Sequence, residues 1–205
     1  MDLILFGKAL IIGLSIAAPV GPIVLICIQR TLTQGARAGI ASGLGAATAD
    51  GIYGAIGAFG LSAATQAFAS VSKPMAFLGV VFLSWLGIRF LTAGAEERTV
   101  TVATTKDSLR AFASTLALTL ANPTTILSFV AIFAALNGSD ALDPGSEGIL
   151  ISGVFFGSAI WWLALATGVS LVKHRIDAAV MQWISRIAGL LLLGFAGWQL
   201  HSVLS

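Results

Sequence analysis

Two proline-containing stretches interrupt the apolar segments of this chain at positions where freed backbone groups could bind a ligand. Pro19 and Pro22 enclose Gly21 in the run AAPVGP, and Asn122 precedes Pro123 in the run ANP. Proline lacks an N–H and clashes with the carbonyl four residues before it, while glycine lets the backbone unwind. Carbonyls freed at membrane depth are tolerated only where protein or a wet cavity satisfies them. The two breaks therefore predict facing halves of a substrate site, and a kink that serves packing is the simpler alternative.

One acid, Asp50, lies in the interior of an apolar segment, about 12 residues from its start and thus near mid-depth in a membrane. A charge there costs at least ~2.5 kcal/mol on insertion scales, and no basic residue lies three or four positions away. We expect Asp50 to face a wet cavity, meet a cation or carry a proton; the alternative is a structural hydrogen bond across helices. Tyr53 is expected either to bond Asp50 or line the path, or to pack at an interface. Trp161 is expected either to wall the cavity or to pack.

The composition indicates a membrane protein. Of the 205 residues, 57% are hydrophobic and only 10% are charged, whereas soluble domains carry about 25% charged residues. The Lys and Arg residues are scattered among apolar runs, so no nucleic-acid partner is expected. Cys27 is the single cysteine, which excludes an internal disulfide and a two-cysteine redox carrier. We expect no metal site and no cofactor.

Six apolar segments are long enough to cross a bilayer as helices, since a span needs roughly 20 residues. Their expected bounds are Leu3–Ile28, Ala38–Ala63, Pro74–Gly94, Ala111–Leu136, Gly148–Val172 and Ala179–Val203. The basic residues concentrate in the loops after the first, third and fifth segments, which the positive-inside rule assigns to the cytoplasm. Both termini would then lie outside.

Weak similarity between the two halves predicts an internal repeat. Gly79 pairs with Gly189 and Leu83 with Leu193 at one offset, and a proline interrupts the first segment of each half. Three helices per half is an odd number, so the halves would insert in opposite orientations, as in many secondary transporters. The predicted fold is an all-α membrane protein of six helices, built as two inverted three-helix repeats with broken first and fourth helices. The repeats would span residues 1–94 and 111–205, joined by a cytoplasmic linker at 95–110.

The run AAPVGP, together with LTQGARAG, GLGAATAD and GAFGL, resembles the LysE/RhtB family of amino-acid exporters over essentially the whole chain. The family's proline-glycine-proline element corresponds to Pro19–Pro22 and its membrane aspartate to Asp50. The resemblance implies an inner-membrane exporter with six helices that forms a homodimer and couples to the proton-motive force. Ile23 departs from the Asn or Gln that many members carry there, and Ala49 from the frequent Gly.

The leading hypothesis is a secondary exporter of amino acids or similar zwitterions, with an amino acid and the lipid bilayer as its partners. A channel, a structural membrane subunit, or an exporter of another solute such as a metal cation are the alternatives. An intramembrane enzyme would need a catalytic dyad, and the apolar segments offer one mid-depth acid and no mid-depth lysine.

Overall fold

The computed structural model describes residues 2–18, 21–58, 62–92, 104–122, 125, 129, 145–173 and 178–204. These residues form seven helices and no strand. The helices are α1 (Asp2–Ala17), α2 (Pro22–Gln34), α3 (Ala36–Ala58), α4 (Ser62–Thr92), α5 (Thr105–Leu120), α6 (Glu147–Val172) and α7 (Ala178–Leu204). The all-helical prediction is therefore confirmed for the described part of the chain.

Two of the helices in this part of the chain are long and apolar enough to cross a membrane by themselves, α6 and the Gln182–His201 part of α7. A third span would be the pair Leu3–Ala17 and Pro22–Gln34, which meet at an angle of 79° as a broken span or a re-entrant loop. Phe77–Thr92 is a shorter apolar stretch of α4. The described residues thus supply two or three of the six predicted spans.

The predicted break in the first segment separates α1 from α2. Pro22 occupies the first turn of α2, where its missing N–H would have no helical acceptor and its fixed φ suits the helix. Gly35 ends α2 with a φ of +91°, and its N–H donates to the carbonyl of Thr31. α3 begins directly afterwards, so Arg30 and Arg37 lie within helices rather than in the loop where the sequence placed them.

Other helix boundaries also differ from the expected ones. α4 begins at Ser62, twelve residues before the expected start at Pro74, so Pro74 lies inside this helix rather than at its start. α5 begins at Thr105, inside the range expected to be a linker. Its capping box explains this start, because the Thr104 hydroxyl accepts from the N–H of Asp107 while the Asp107 carboxylate accepts from the N–H of Thr104.

Glycines set the closest helix contacts. α1 packs on α6, α3 packs on α5 and α6, and α4 packs on α7. A Cβ on Gly13 would collide with the backbone of Val154, and a Cβ on Gly157 would collide with the backbone of Leu10. Small residues let helices in membranes approach to backbone contact. α2 lies against α3, α6 and α7, with Ile26 fully buried in the central core.

Candidate functional site

One cavity joins the helix break to the membrane acid. It has a volume of about 320 Å³ and lies between the ends of α1 and α5, the start of α2, and the middle of α3 and α6. Gly21, Pro22, Asp50 and Asn122 all line it. The break and the carboxylate, which are nearly thirty residues apart in sequence, therefore share one space.

Asp50 is held by a short chain of hydrogen bonds that reaches across to α6. The Ser158 hydroxyl donates to Asp50 Oδ2 at 2.6 Å, and the indole N–H of Trp162 donates to Ser158 Oγ at 3.1 Å. Asp50 is 3% exposed and Ser158 is fully buried. The hydroxyl of Ser158 donates its one hydrogen to Asp50 and accepts a hydrogen bond from the indole N–H. The order of donors and acceptors is therefore fixed, and these hydrogen bonds orient the carboxylate in the cavity.

The ends of two helices meet the cavity with opposite polarity. α2 begins there, its Gly21 N-cap provides no side-chain cap, and Ile23 and Val24 line the space. The N–H groups of a first turn have no acceptor within their own helix and carry a partial positive charge. α5 ends on the other side, where Thr119 and Asn122 line the cavity and the last carbonyls carry a partial negative charge.

The remaining wall is mostly apolar and includes three large aromatic side chains, Trp162, Phe195 and Trp198. Of the described residues that line the cavity, none is basic and Asp50 alone is acidic. An anionic group in the cavity would therefore meet backbone N–H groups rather than a lysine or arginine, and a cationic group would meet Asp50.

The other residues singled out from the sequence lie elsewhere or outside the described residues. The Tyr53 hydroxyl donates to the carbonyl of Leu120 at 2.7 Å and so ties α3 to the end of α5. Trp161 packs against the central core and does not line this cavity, whereas its neighbour Trp162 does. Pro19 and Pro123 lie outside the described residues.

Two polar residues of α6 and α7 that contribute to the site, Ser158 and Gln199, were not indicated by the sequence. Ser158 is one of several serines in apolar segments, and only its partner on α3 distinguishes it. Gln199 of α7 also lines the cavity, although its position near the end of an apolar segment is typical of an interfacial residue. Among the described residues, no group of three or more His, Cys, Asp or Glu side chains is arranged to hold a metal ion.

Comparison with known proteins finds one family and several relatives. The profile of the LysE type translocator matches residues 14–202. YcgF of Bacillus subtilis, named as a candidate amino acid efflux protein, is 31% identical over 93% of this chain and 92% of its own length. ChpE of Pseudomonas aeruginosa, named as a chemotactic transduction protein, is 27% identical over 98% of this chain and 100% of its own length. YggA of Aeromonas salmonicida, named as a candidate amino-acid transporter, is 31% identical over 58% of each chain. No solved structure matches.

Proposed function

Because the chain belongs to the LysE type translocator family, which is a family of integral membrane transporters and not of enzymes, we propose that it exports amino acids or similar small zwitterions across the inner membrane. The observation that carries the proposal is the shared cavity, in which the uncapped start of α2 and the carboxylate of Asp50 face the same space. Two relatives are named for amino acid efflux or transport, which agrees with this substrate class.

The polarity of the cavity suits a zwitterion. The substrate carboxylate would bind the first-turn N–H groups of α2, at Ile23 and Val24, because no basic side chain is among the described lining residues. The substrate ammonium would bind Asp50 and the carbonyl end of α5. Secondary transporters place broken helices at the midplane for this use of helix ends. The aromatic wall of the cavity would then contact the side chain of the substrate, and an apolar substrate side chain would bind there better than a charged one.

Asp50 is the proposed coupling residue. A carboxylate that is almost fully buried would hold either a proton or the substrate ammonium, since both would compete for the same oxygen atoms. Proton entry from outside would displace the ammonium, and substrate binding from the cytoplasm would displace the proton. This exchange would couple export to the proton-motive force by alternating access.

We propose α4 and α7, which contact each other through Gly87 and Gly189, as the matching third helices of the inverted repeat that alternating access uses. The carbonyl of Gly189 lies 3.0 Å from the position of a Cβ on Gly87, and the carbonyl of Gly87 lies 2.8 Å from that of a Cβ on Gly189. Gly87 also faces Leu193, as Gly189 faces Leu91. The contact pairs Gly189 with Gly87, whereas the sequence alignment pairs Gly189 with Gly79, about two helical turns away. A homodimer with both termini outside completes the proposal.

The test is efflux of a panel of amino acids from preloaded proteoliposomes under an imposed pH gradient. We expect saturable, gradient-driven export by the wild type, and correct insertion but loss of gradient-driven export in Asp50→Asn. Glu147→Gln is the matched control, because it removes an acid from the first turn of α6 away from the cavity. Wild-type export by Asp50→Asn would refute the coupling role, and flux that never saturates would indicate a channel.

A further inference from the structure

A second cavity lies at the opposite end of α2 and is lined by basic side chains. Its volume is about 430 Å³, and Arg30 of α2, Arg89 of α4 and Arg110 of α5 line it together with Trp85 and Asp107. These residues belong to the ends of helices that the distribution of basic residues assigns to the cytoplasmic side. With three guanidinium groups against one carboxylate, the described lining has an excess of positive charge.

Within the described part of the chain, Arg30 is fixed in place by neutral groups and not by a carboxylate. Its Nη1 donates at 2.9 Å to three oxygen atoms and its Nη2 donates at 2.8 Å to a fourth; the acceptors are Ser42 Oγ, the Ala111 carbonyl, Thr115 Oγ1 and Ser114 Oγ. All four acceptors are neutral. They satisfy N–H groups but leave the positive charge uncompensated, which is costly for a half-buried cation. An anion in the adjacent cavity would offset that cost.

Asp107, the one acid among the described lining residues, is bound to the start of α5. Asp107 Oδ2 accepts from both the N–H and the hydroxyl of Thr104, at 3.0 and 2.6 Å. These hydrogen bonds keep its carboxylate ionised at the start of α5, where it also offsets the positive end of the helix. Asp107 thus serves the helix cap. The charge of Arg110 also acts on it, but among the described residues no carboxylate is hydrogen-bonded to Arg30, Arg89 or Arg110.

An apolar track on α4 leads to the basic cavity. Five large side chains on one side of α4 are each more than half exposed: Phe77, Leu78, Val81, Trp85 and Ile88. They recur every three or four residues and therefore form one stripe along the helix. Trp85, near the cytoplasmic end of the stripe, lines the cavity, and the centroid of its ring lies 5.4 Å from the guanidinium carbon of Arg89. A molecule with an acyl chain and an anionic head would fit both parts.

We propose that this cavity binds the phosphate of an anionic phospholipid from the cytoplasmic leaflet, with its acyl chains along the exposed stripe of α4. Basic pockets between membrane helices on the cytoplasmic side bind such headgroups. Arg89 and Arg110 supply the exposed guanidinium groups, Arg30 supplies the fixed one, and Trp85 packs at the glycerol level. The exposed apolar stripe favours a lipid over a free phosphate ion, because a phosphate ion has no acyl chain to contact it.

Lipid titration followed by native mass spectrometry tests the proposal on the delipidated full chain. We expect the wild type to prefer phosphatidylglycerol over phosphatidylcholine, and Arg89→Gln/Arg110→Gln to lose roughly 30-fold in phosphatidylglycerol affinity, at about fivefold for each cation. Arg37→Gln/Lys106→Gln is the matched control, because both side chains are exposed and neither lines the cavity. Its phosphatidylglycerol affinity should stay within about twofold of the wild type if the surface contributes little.

Three outcomes would overturn the site. They are equal binding of the two lipids by the wild type, an unchanged preference in Arg89→Gln/Arg110→Gln, or an equal loss in the control pair. Displacement of phosphatidylglycerol by inorganic phosphate or glycerol phosphate at equal concentration would assign the cavity to a free anion instead. A second measurement needs no arginine variant: brominated phosphatidylglycerol should quench the fluorescence of the wild type more than that of Trp85→Phe, whereas the exposed control Trp183→Phe should respond like the wild type.

Discussion

Ser158 orients the carboxylate of Asp50, so removing its hydroxyl should impair transport without removing any group that touches the substrate. Ser158 is fully buried, and its 2.6 Å bond to Asp50 is a hydrogen bond to a charged acceptor. Such bonds contribute about 1.5–3 kcal/mol. If the substrate ammonium needs the carboxylate in its present orientation, Ser158→Ala should lower kcat/KM for efflux by about 10- to 150-fold.

Proteoliposome efflux at a fixed pH gradient would measure this loss. Ser152→Ala is the control, since Ser152 also lies on α6 but donates to the carbonyl of Ile149; it should export within about twofold of the wild type. Trp162→Phe keeps a six-membered aromatic ring but removes the pyrrole ring of the indole with its N–H, which donates at 3.1 Å, so a loss of at least about fivefold is expected. Because both residues act through one chain of hydrogen bonds, Ser158→Ala/Trp162→Phe should lose no more than the sum of the single effects. Wild-type kcat/KM in correctly inserted Ser158→Ala would refute the orienting role.

Three further predictions concern helix contacts and the cap of α5. Gly157→Ala should lower the unfolding midpoint in detergent by roughly 2–10 °C, because the new Cβ would collide with the backbone of α1 at a cost of about 1–3 kcal/mol. Gly168→Ala on the same helix is the control: a Cβ there would have no neighbour within 4 Å, so the midpoint should stay unchanged or rise. Tyr53→Phe should cost about 1 kcal/mol by leaving a carbonyl of α5 without its donor, and an unchanged midpoint would argue against that bond. The hydrogen bonds from Thr104 hold the pKa of Asp107 below its usual value. The cap therefore stabilises the fold at a pH above the unfolded pKa of about 3.9, and this stabilisation is lost as the pH falls through the lower folded pKa. The difference in unfolding midpoint between the wild type and Thr104→Val should shrink at low pH, and a constant difference would contradict this prediction.

The sequence indicated those residues of the candidate site that are unusual inside an apolar helix. Pro22 interrupts an apolar run and Asp50 places a carboxylate at membrane depth. Each destabilises a membrane helix unless the surrounding structure supplies partners for its polar groups. Both features are visible within a few residues of sequence, and the structure places both on one cavity. The positions of Pro19 and Pro123 in the site stay a prediction.

Features that depend on distant contacts were not predictable. Ser158 follows no unusual local pattern, and its role arises from a partner 108 residues away. Arg30 was assigned to a loop because the first apolar segment is expected to end at Ile28 and the second to begin at Ala38. It lies inside α2 instead, because four acceptors from α3 and α5 satisfy its guanidinium there. Trp162 rather than Trp161 lines the cavity because the rotation of α6 is set by its packing on α1 and α3.

The placement of α2 gives it a mechanical consequence. This single helix of 13 residues is about 20 Å long, with its first turn in the Asp50 cavity and Arg30 in the basic cavity. If the two cavities bind the ligands proposed above, α2 would connect the two binding sites as one rigid element. A tilt that opens the first cavity must either break the bonds of Arg30 or carry α3 and α5 along with it. The work needed to reset the exporter would then depend on the lipids of the inner leaflet, so the same protein should turn over at different speeds in membranes of different headgroup composition.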